Sequence, residues 1–218
     1  MADMRVFSKI NSVGRNPNST VGWRGTPDGG GIVVPWVTAL AMEGRLFQAH
    51  IGSATTPVSF AKTAYDSDQP QLVVDVPAGT SILPVKIELH LEDSAGTDNE
   101  IMAVVSTTAV GAGTSTAVTQ KNLRSDGPVT SNCSVYSLYT GNGTDPTVHA
   151  EFWRSGYAFA DSTTNPRPVF TYDVEEHPRV VIVGAGALVI YIVGATTAPA
   201  GFLKVQWIEL PSATAITA

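Results

Sequence analysis

The nine residues PVKIELHLE, from Pro84 to Glu92, decide the fold. Apolar side chains at positions 85, 87, 89 and 91 alternate without a break with charged or polar ones. Successive side chains of a β-strand point to opposite faces, so this pattern predicts a strand with one apolar face and one solvated face. Burying the four apolar side chains contributes roughly 6–12 kcal/mol, at about 1.5–3 kcal/mol each. The stretch therefore predicts an antiparallel sheet that packs on one side only.

Further short strands, separated by Gly and Pro turns, are predicted along the chain. They cover residues 32–37, 45–51, 71–76, 99–107, 115–120, 133–140, 147–154, 168–172, 180–183, 187–193 and 202–210. Only Thr38–Glu43 predicts a helical turn, which Gly44 would end, and no amphipathic helix separates the strands. So many short strands indicate an all-β fold, an antiparallel β-sandwich. Long connections at 53–70 and 121–131 favour Greek-key or jelly-roll crossing over a simple meander.

Two pairs of neighbouring strands are predicted to form hairpins. The polar loop Asp93–Asp98 would join the strand at 84–92 to the one at 99–107. Gly184-Ala185-Gly186 would join the strands at 180–183 and 187–193. This second turn resembles the start of a dinucleotide-binding fingerprint, but Val189 occupies the third glycine position and a strand-like run follows. We therefore interpret it as a turn between strands.

The first 31 residues have no sustained hydrophobic periodicity and many Gly and Pro residues. We predict an extended N-terminal arm at residues 1–31 and a single β-sandwich domain at residues 32–218. An ordered arm would need support from its own domain or from a neighbouring subunit, and the sequence leaves both open. The candidate partner-binding residues are the four cations of the arm, Arg5, Lys9, Arg15 and Arg24.

Composition excludes several classes of function. The 218 residues are 43% hydrophobic, enough for a core, but only 15% are charged, which favours a surface that meets other protein. The net charge of −6 argues against nucleic-acid binding, because phosphate neutralisation requires an excess of Lys and Arg. Neither a leader nor an apolar run of about 18 residues is present, so we expect a soluble protein that does not bind membranes.

The sequence predicts neither an enzyme nor a bound cofactor. Cys133 is the only cysteine, which excludes an intrachain disulfide and a zinc cluster, and no catalytic motif accompanies it. The acidic residues Asp93, Asp98 and Glu100 are calcium candidates, because carboxylate oxygens gathered at a loop bind this ion. The alternative is an ordinary acidic loop, since the EF-hand spacing is absent. A second acidic group, at residues 173–177, predicts a solvated turn.

Two ligand-binding alternatives remain open. The first is a carbohydrate or receptor site, for which the candidate aromatics are Trp23, Trp36, Tyr136, Tyr139, Trp153 and Tyr157. The second is a cupin-type metal site. The histidines His50, His90 and His149 lie in separate predicted strands and lack the cupin motif, which disfavours this second alternative.

The order of these signals resembles that of phage virion proteins built on a jelly roll, of the capsid decoration (cement) type. The similar features are the arm, GRLFQA at 44–49, VPAGT at 76–80 before an alternating strand, and VQWIELP at 205–211. The resemblance covers roughly residues 40–110 and 178–211, whereas residues 111–177 match no known pattern.

This resemblance implies a structural virion protein that stabilises a phage capsid, with the major capsid protein as its partner. It also implies a symmetric homo-oligomer such as a trimer, located in the virion and assembled in the host cytoplasm. The alternatives are a capsid shell, penton or fibre-knob protein. No catalytic residues come with the resemblance.

Overall fold

The computed structural model describes residues 35–53, 55–60, 62, 64–93, 98–127, 129–141, 144–157, 169–194 and 198–211, without the side chains of Asp93 and Tyr157. The predicted arm at 1–31, with its four cations, lies outside these residues.

One helix and thirteen strands occur in the described part of the chain. The helix is α1 (Trp36–Met42). The strands are β1 (Leu46–Ile51), β2 (Val58–Ser59), β3 (Leu72–Val76), β4 (Thr80–Asp93), β5 (Asn99–Ser106), β6 (Thr114–Ala117), β7 (Lys121–Asn122), β8 (Ser134–Gly141), β9 (Val148–Tyr157), β10 (Val169–Asp173), β11 (Ile182–Val183), β12 (Gly186–Gly194) and β13 (Ala200–Pro211).

The strands form two antiparallel sheets that pack on each other. The first sheet has the order β10-β4-β13-β1-β7, with β11 on β4 and β2 on β13. The second has the order β6-β8-β3-β12-β5-β9. The facing sets β1-β13-β4-β10 and β3-β12-β5-β9 have the strand order of a jelly roll. The predicted all-β, jelly-roll-like sandwich is therefore confirmed.

The central strand β4 has the predicted one-sided burial. Val85, Ile87, Leu89 and Leu91 are buried, whereas the polar residues between them are half-buried or exposed. Leu89 lies opposite Leu203, and Ile87 lies opposite Val205, so β13 presents the same apolar face to the core. The interior between the two sheets is consequently apolar.

Strands β3 and β12 of the second sheet are buried on both faces. Their outer residues Val73 and Val189 pack with Val110 and Tyr139 in a second apolar cluster. Val110, in the segment between β5 and β6, and Tyr139 of β8 supply this cover. Asp75 anchors it by accepting hydrogen bonds from the backbone N–H groups of Val110, at 2.9 Å, and Gly111, at 2.8 Å. Burial raises the pKa of Asp75, and these two hydrogen bonds partly oppose the shift.

Both hairpin predictions are wrong. The strand β4 belongs to the first sheet and β5 to the second, and β11 and β12 are divided in the same way. Each connection carries the chain from one sheet to the other, because the strands on its two sides pair with strands from distant parts of the sequence. At the second connection, a side chain on Gly184 would lie 1.9 Å from the carbonyl oxygen of Pro77, so only glycine fits there.

The predicted strand at 32–37 is wrong where the structure describes it. Trp36 and Val37 begin α1 instead, and the helical turn predicted from Thr38 is its remainder. Trp36, Val37, Leu40 and Ala41 share the face that packs against the core, which is the spacing of an amphipathic helix. Gly44, at φ +74°, follows the helix as expected.

Candidate functional site

The interior of the sandwich offers an apolar core. Its largest fully buried side chains include Trp207, Phe47 and Tyr172. His50, His90 and His149 are all exposed, so none of them enters the core as a cupin ligand would. Within the described part of the chain, no three His, Cys, Asp or Glu residues are grouped to hold a metal ion.

The single thiol is also part of this core. Cys133 is 5% exposed. Burial first, and then the neighbouring carboxylate of Glu209, raise the pKa of Cys133 well above its ordinary value. A thiol in this state carries little thiolate at neutral pH, which disfavours a nucleophilic role.

A groove of about 500 Å³ lies on the outer face of the second sheet. The strands β5, β9 and β12 form it, and the segment before β3 adds one wall. Its volume falls in the range of small-ligand sites, roughly 300–1,000 Å³. The lining residues are Tyr65, Glu100, Met102, Val104, Val148, Glu151, Arg154, Tyr191 and Val193.

Two β-bulges aim the side chains of β9 into this groove. The outer residues Met102, Val104 and Ser106 of β5 lie opposite Arg154, Glu151 and Val148, so successive outer residues of β9 are three apart. Regular alternation would place residues three apart on opposite faces. The extra residue of each bulge returns these side chains to the same face of the sheet, which is a common use of bulges at sheet edges.

The charged groups of the groove form one connected cluster. The guanidinium of Arg154 donates through Nε and Nη2 to the two carboxylate oxygens of Glu151, each at 2.7 Å. Its Nη1 donates to Glu100 across the strand pair. Hydrogen bonding from Arg154 lowers the pKa of Glu151, so this carboxylate is ionised at neutral pH. The cluster holds two negative charges and one positive charge.

An exposed tyrosine forms the other side of the groove. The ring of Tyr65 lies against that of Tyr191, with centroids 4.9 Å apart and an angle of 56° between the planes. Tyr65 is 53% exposed, whereas Tyr191 is buried. The hydroxyl of Tyr191 donates to the backbone carbonyl of Ser67 at 3.0 Å, which holds this segment against β12. The groove thus has an aromatic and aliphatic wall opposite a charged one.

A second exposed feature is the patch formed by Met42, Leu123 and Val129, here called the end patch. Their exposed fractions are 63%, 41% and 47%. The side chain of Asn122 donates to the carbonyls of Gly44 and Val129, each at 2.8 Å, and so joins the segments that carry the patch. Helix α1 connects the end patch to residues 1–34, which precede it in sequence.

Neither the groove nor the end patch brings together a complete set of the candidate residues named from the sequence. Trp153 and Tyr139 are core residues, and Tyr136 and Trp36 are half-buried. The remaining aromatic candidates, Trp23 and the side chain of Tyr157, lie outside the described residues. Tyr65, which does line the groove, gave no signal in the sequence, because it lies in a segment without periodicity.

The acidic candidates have other contacts. Glu100 pairs with Arg154. Asp98 is exposed, and the side chain of Asp93 and residues 94–97 lie outside the described part. The calcium site therefore stays a prediction. In the acidic group at residues 173–177, the carboxylate of Glu175 accepts hydrogen bonds from Trp36 Nε1 at 2.8 Å and from Arg179 at 3.0 Å. Glu175 itself lies in a turn at 174–177.

The described residues include no helix with the length and apolar character needed to span a membrane. Comparison of the chain with protein-family models, curated proteins and solved structures finds no match.

Proposed function

We propose that the protein is a structural virion protein, a decoration (cement) protein that stabilises a phage capsid through protein–protein contacts. The observation that carries the proposal is the jelly-roll strand order around an apolar core, since this architecture is common in capsid proteins. His50, His90 and His149 are exposed and the thiol is buried with a raised pKa, which also favours a role without catalysis. The protein acts as a homo-oligomer, with a trimer as the specific expectation.

The end patch supports this function as the contact with the major capsid protein. Exposed apolar residues that lie together mark interaction sites more often than scattered ones do. Residues 1–31, which precede α1 in the sequence, carry Arg5, Lys9, Arg15 and Arg24, and we infer that their positive charge adds to the apolar contact. The arm would reach neighbouring capsid subunits, and the end patch would seat the sandwich on them.

Co-sedimentation with capsids of the same virus, prepared without this protein, tests the proposal. The parent chain should sediment with the capsids, and the triple variant Met42→Ser, Leu123→Ser, Val129→Ser should remain in the supernatant. The double variant Val169→Ser, Val181→Ser is the matched control, because both valines are exposed on the far edge of the first sheet. The control should bind as the parent does.

Removal of residues 1–31 tests the arm separately. The shortened chain should remain folded by circular dichroism but lose capsid binding. Light scattering coupled to size-exclusion chromatography should give the mass of an oligomer for the parent chain. A parent chain that never sediments with capsids at any ratio would refute the proposed function.

A further inference from the structure

We propose that the groove on the outer face of the second sheet binds a neutral oligosaccharide. This inference goes beyond the capsid function and does not depend on it, because the groove and the end patch are formed by different residues.

The apolar wall of the groove fits one face of a sugar ring. A pyranose has a face of C–H groups and a rim of hydroxyl groups, so it needs an apolar surface and polar partners side by side. Tyr65, which packs on Tyr191 of β12, offers an exposed aromatic ring. Val193 of β12, Met102 of β5 and Val148 of β9, which is 49% exposed, add apolar surface elsewhere in the groove. Rings of this kind bury apolar area at little conformational cost.

The charged wall supplies the hydrogen-bond partners for the rim. The carboxylates of Glu100 and Glu151 have lone pairs beyond those that Arg154 uses, so each can accept from a sugar hydroxyl. Hydrogen bonds to ionised groups are roughly twice as strong as those between neutral groups. Because Arg154 fixes both carboxylates in advance, a ligand would pay little to order them.

The charge of the cluster selects a neutral sugar. Two carboxylates against one guanidinium leave one net negative charge at the groove. An anionic sugar, such as a sialic acid or a uronic acid, would meet this charge and be repelled. A basic peptide is the other ligand that the charge would admit, so the test includes one.

The arrangement supports binding and not hydrolysis. Glycoside cleavage by a pair of carboxyl groups requires one that stays protonated as a general acid. In this groove hydrogen bonds from Arg154 lower the pKa of Glu151 and so disfavour its protonated form, and the same guanidinium is paired with Glu100. A sugar bound between the two walls should therefore dissociate without being cleaved.

A glycan array, followed by calorimetry with the strongest neutral ligand, tests the inference on the full-length chain. The array should contain neutral hexose and N-acetylhexosamine oligosaccharides together with sialylated and uronate-containing ones. We expect binding to neutral glycans alone. Tyr65→Ala should weaken binding about tenfold, in line with the loss of one stacked ring. Tyr65→Phe, which keeps the ring, should bind as the parent does.

Three further variants separate a groove site from a general effect on folding. Val148→Trp should fill the groove and abolish binding, whereas Val181→Ala, at a valine 54% exposed just before β11 of the first sheet, should change nothing. Glu100→Gln removes the net negative charge of the cluster and should allow uronate-containing glycans to bind. Thermal unfolding of each variant would confirm that it is folded.

The following outcomes would overturn the inference. They are an array without neutral ligands, neutral binding that survives both Tyr65→Ala and Val148→Trp, and stronger binding of a fluorescent oligolysine peptide than of any glycan. Capsid co-sedimentation is measured independently, so failure of the glycan site and failure of the capsid function are distinguishable.

Discussion

Glu151 and Arg154 lie on the same face of β9 although they are three residues apart, and their side chains form a two-pronged ion pair with both N···O distances at 2.7 Å. The bulge at Phe152 makes this possible, because both Phe152 and Trp153 turn their side chains into the core. The cluster in the groove therefore depends on an irregularity of the backbone. It also depends on a long-range partner, Glu100, on the adjacent strand.

Substitution of Arg154 by Met should raise the pKa of Glu151 towards its ordinary value, because the hydrogen bonds that favour its carboxylate are removed. The thermal stability should change little, since exposed ion pairs typically contribute about 1 kcal/mol or less. Carbon-detected NMR titration of the Glu151 carboxyl measures the first effect. An unchanged pKa in the variant would show that the ion pair does not form in solution.

Substitution of Asp75 by Ala should destabilise the fold by about 2–4 kcal/mol, because two backbone N–H groups lose their acceptor. These groups belong to Val110 and Gly111, and Val110 is fully buried. Urea unfolding measures the loss, and amide exchange should accelerate first at these two residues. Asp126→Ala is the control, because Asp126 is exposed and pairs only at the surface in the described contacts. Equal losses in both variants would contradict the anchoring role of Asp75.

Substitution of Glu88 by Gln should lower stability at pH 7 by about 1 kcal/mol, through loss of charged hydrogen bonds. Glu88 pairs with Lys86, at 2.7 Å, and with Lys204 on β13. Burial alone would raise the pKa of Glu88, but these lysines outweigh it and hold the pKa below the ordinary value of 4.5.

The pH dependence of the stabilisation by Glu88 and its two lysines follows from the direction in which the pKa of Glu88 is shifted. A carboxyl group with a lowered pKa in the folded state stabilises the protein above pH 4.5, and this contribution is lost as the pH falls through the folded-state pKa. The difference in stability between the parent and Glu88→Gln, measured by urea unfolding from pH 7 to pH 3, should therefore narrow towards the acidic end. Glu176→Gln, at an exposed turn, should follow the parent throughout. A difference that stays the same size from pH 7 to pH 3 would contradict the assignment.

Cys133 should resist alkylation by iodoacetamide in the folded protein at pH 8. The side chain is buried and its pKa is raised, so reagent and thiolate rarely meet. In urea the same cysteine should react at the rate of a free thiol. Mass spectrometry of the alkylated chain measures both rates. Rapid labelling under native conditions would place the thiol in an accessible and reactive environment.

Local patterns predicted most of the strands, since alternation is a property of neighbouring residues. The stretch from Pro84 to Glu92 is a strand with the expected buried face, and the apolar run at 187–193 is a strand as well. In contrast, the apolar run that contains Trp36 predicts a strand where the structure has the helix α1, because a short apolar run fits a strand and a helix equally well until its neighbours are known.

The order of the residues alone establishes that this chain forms short strands with apolar faces around a common core, because period-two burial is a local pattern. The pairing of the strands depends on the folded chain, since contacts between distant segments select the partners. Two connections that looked like hairpins cross between sheets for this reason. The groove likewise depends on the folded chain. Bulges in β9 bring Glu151 and Arg154 to one face, and packing on Tyr191 places Tyr65 in the same groove.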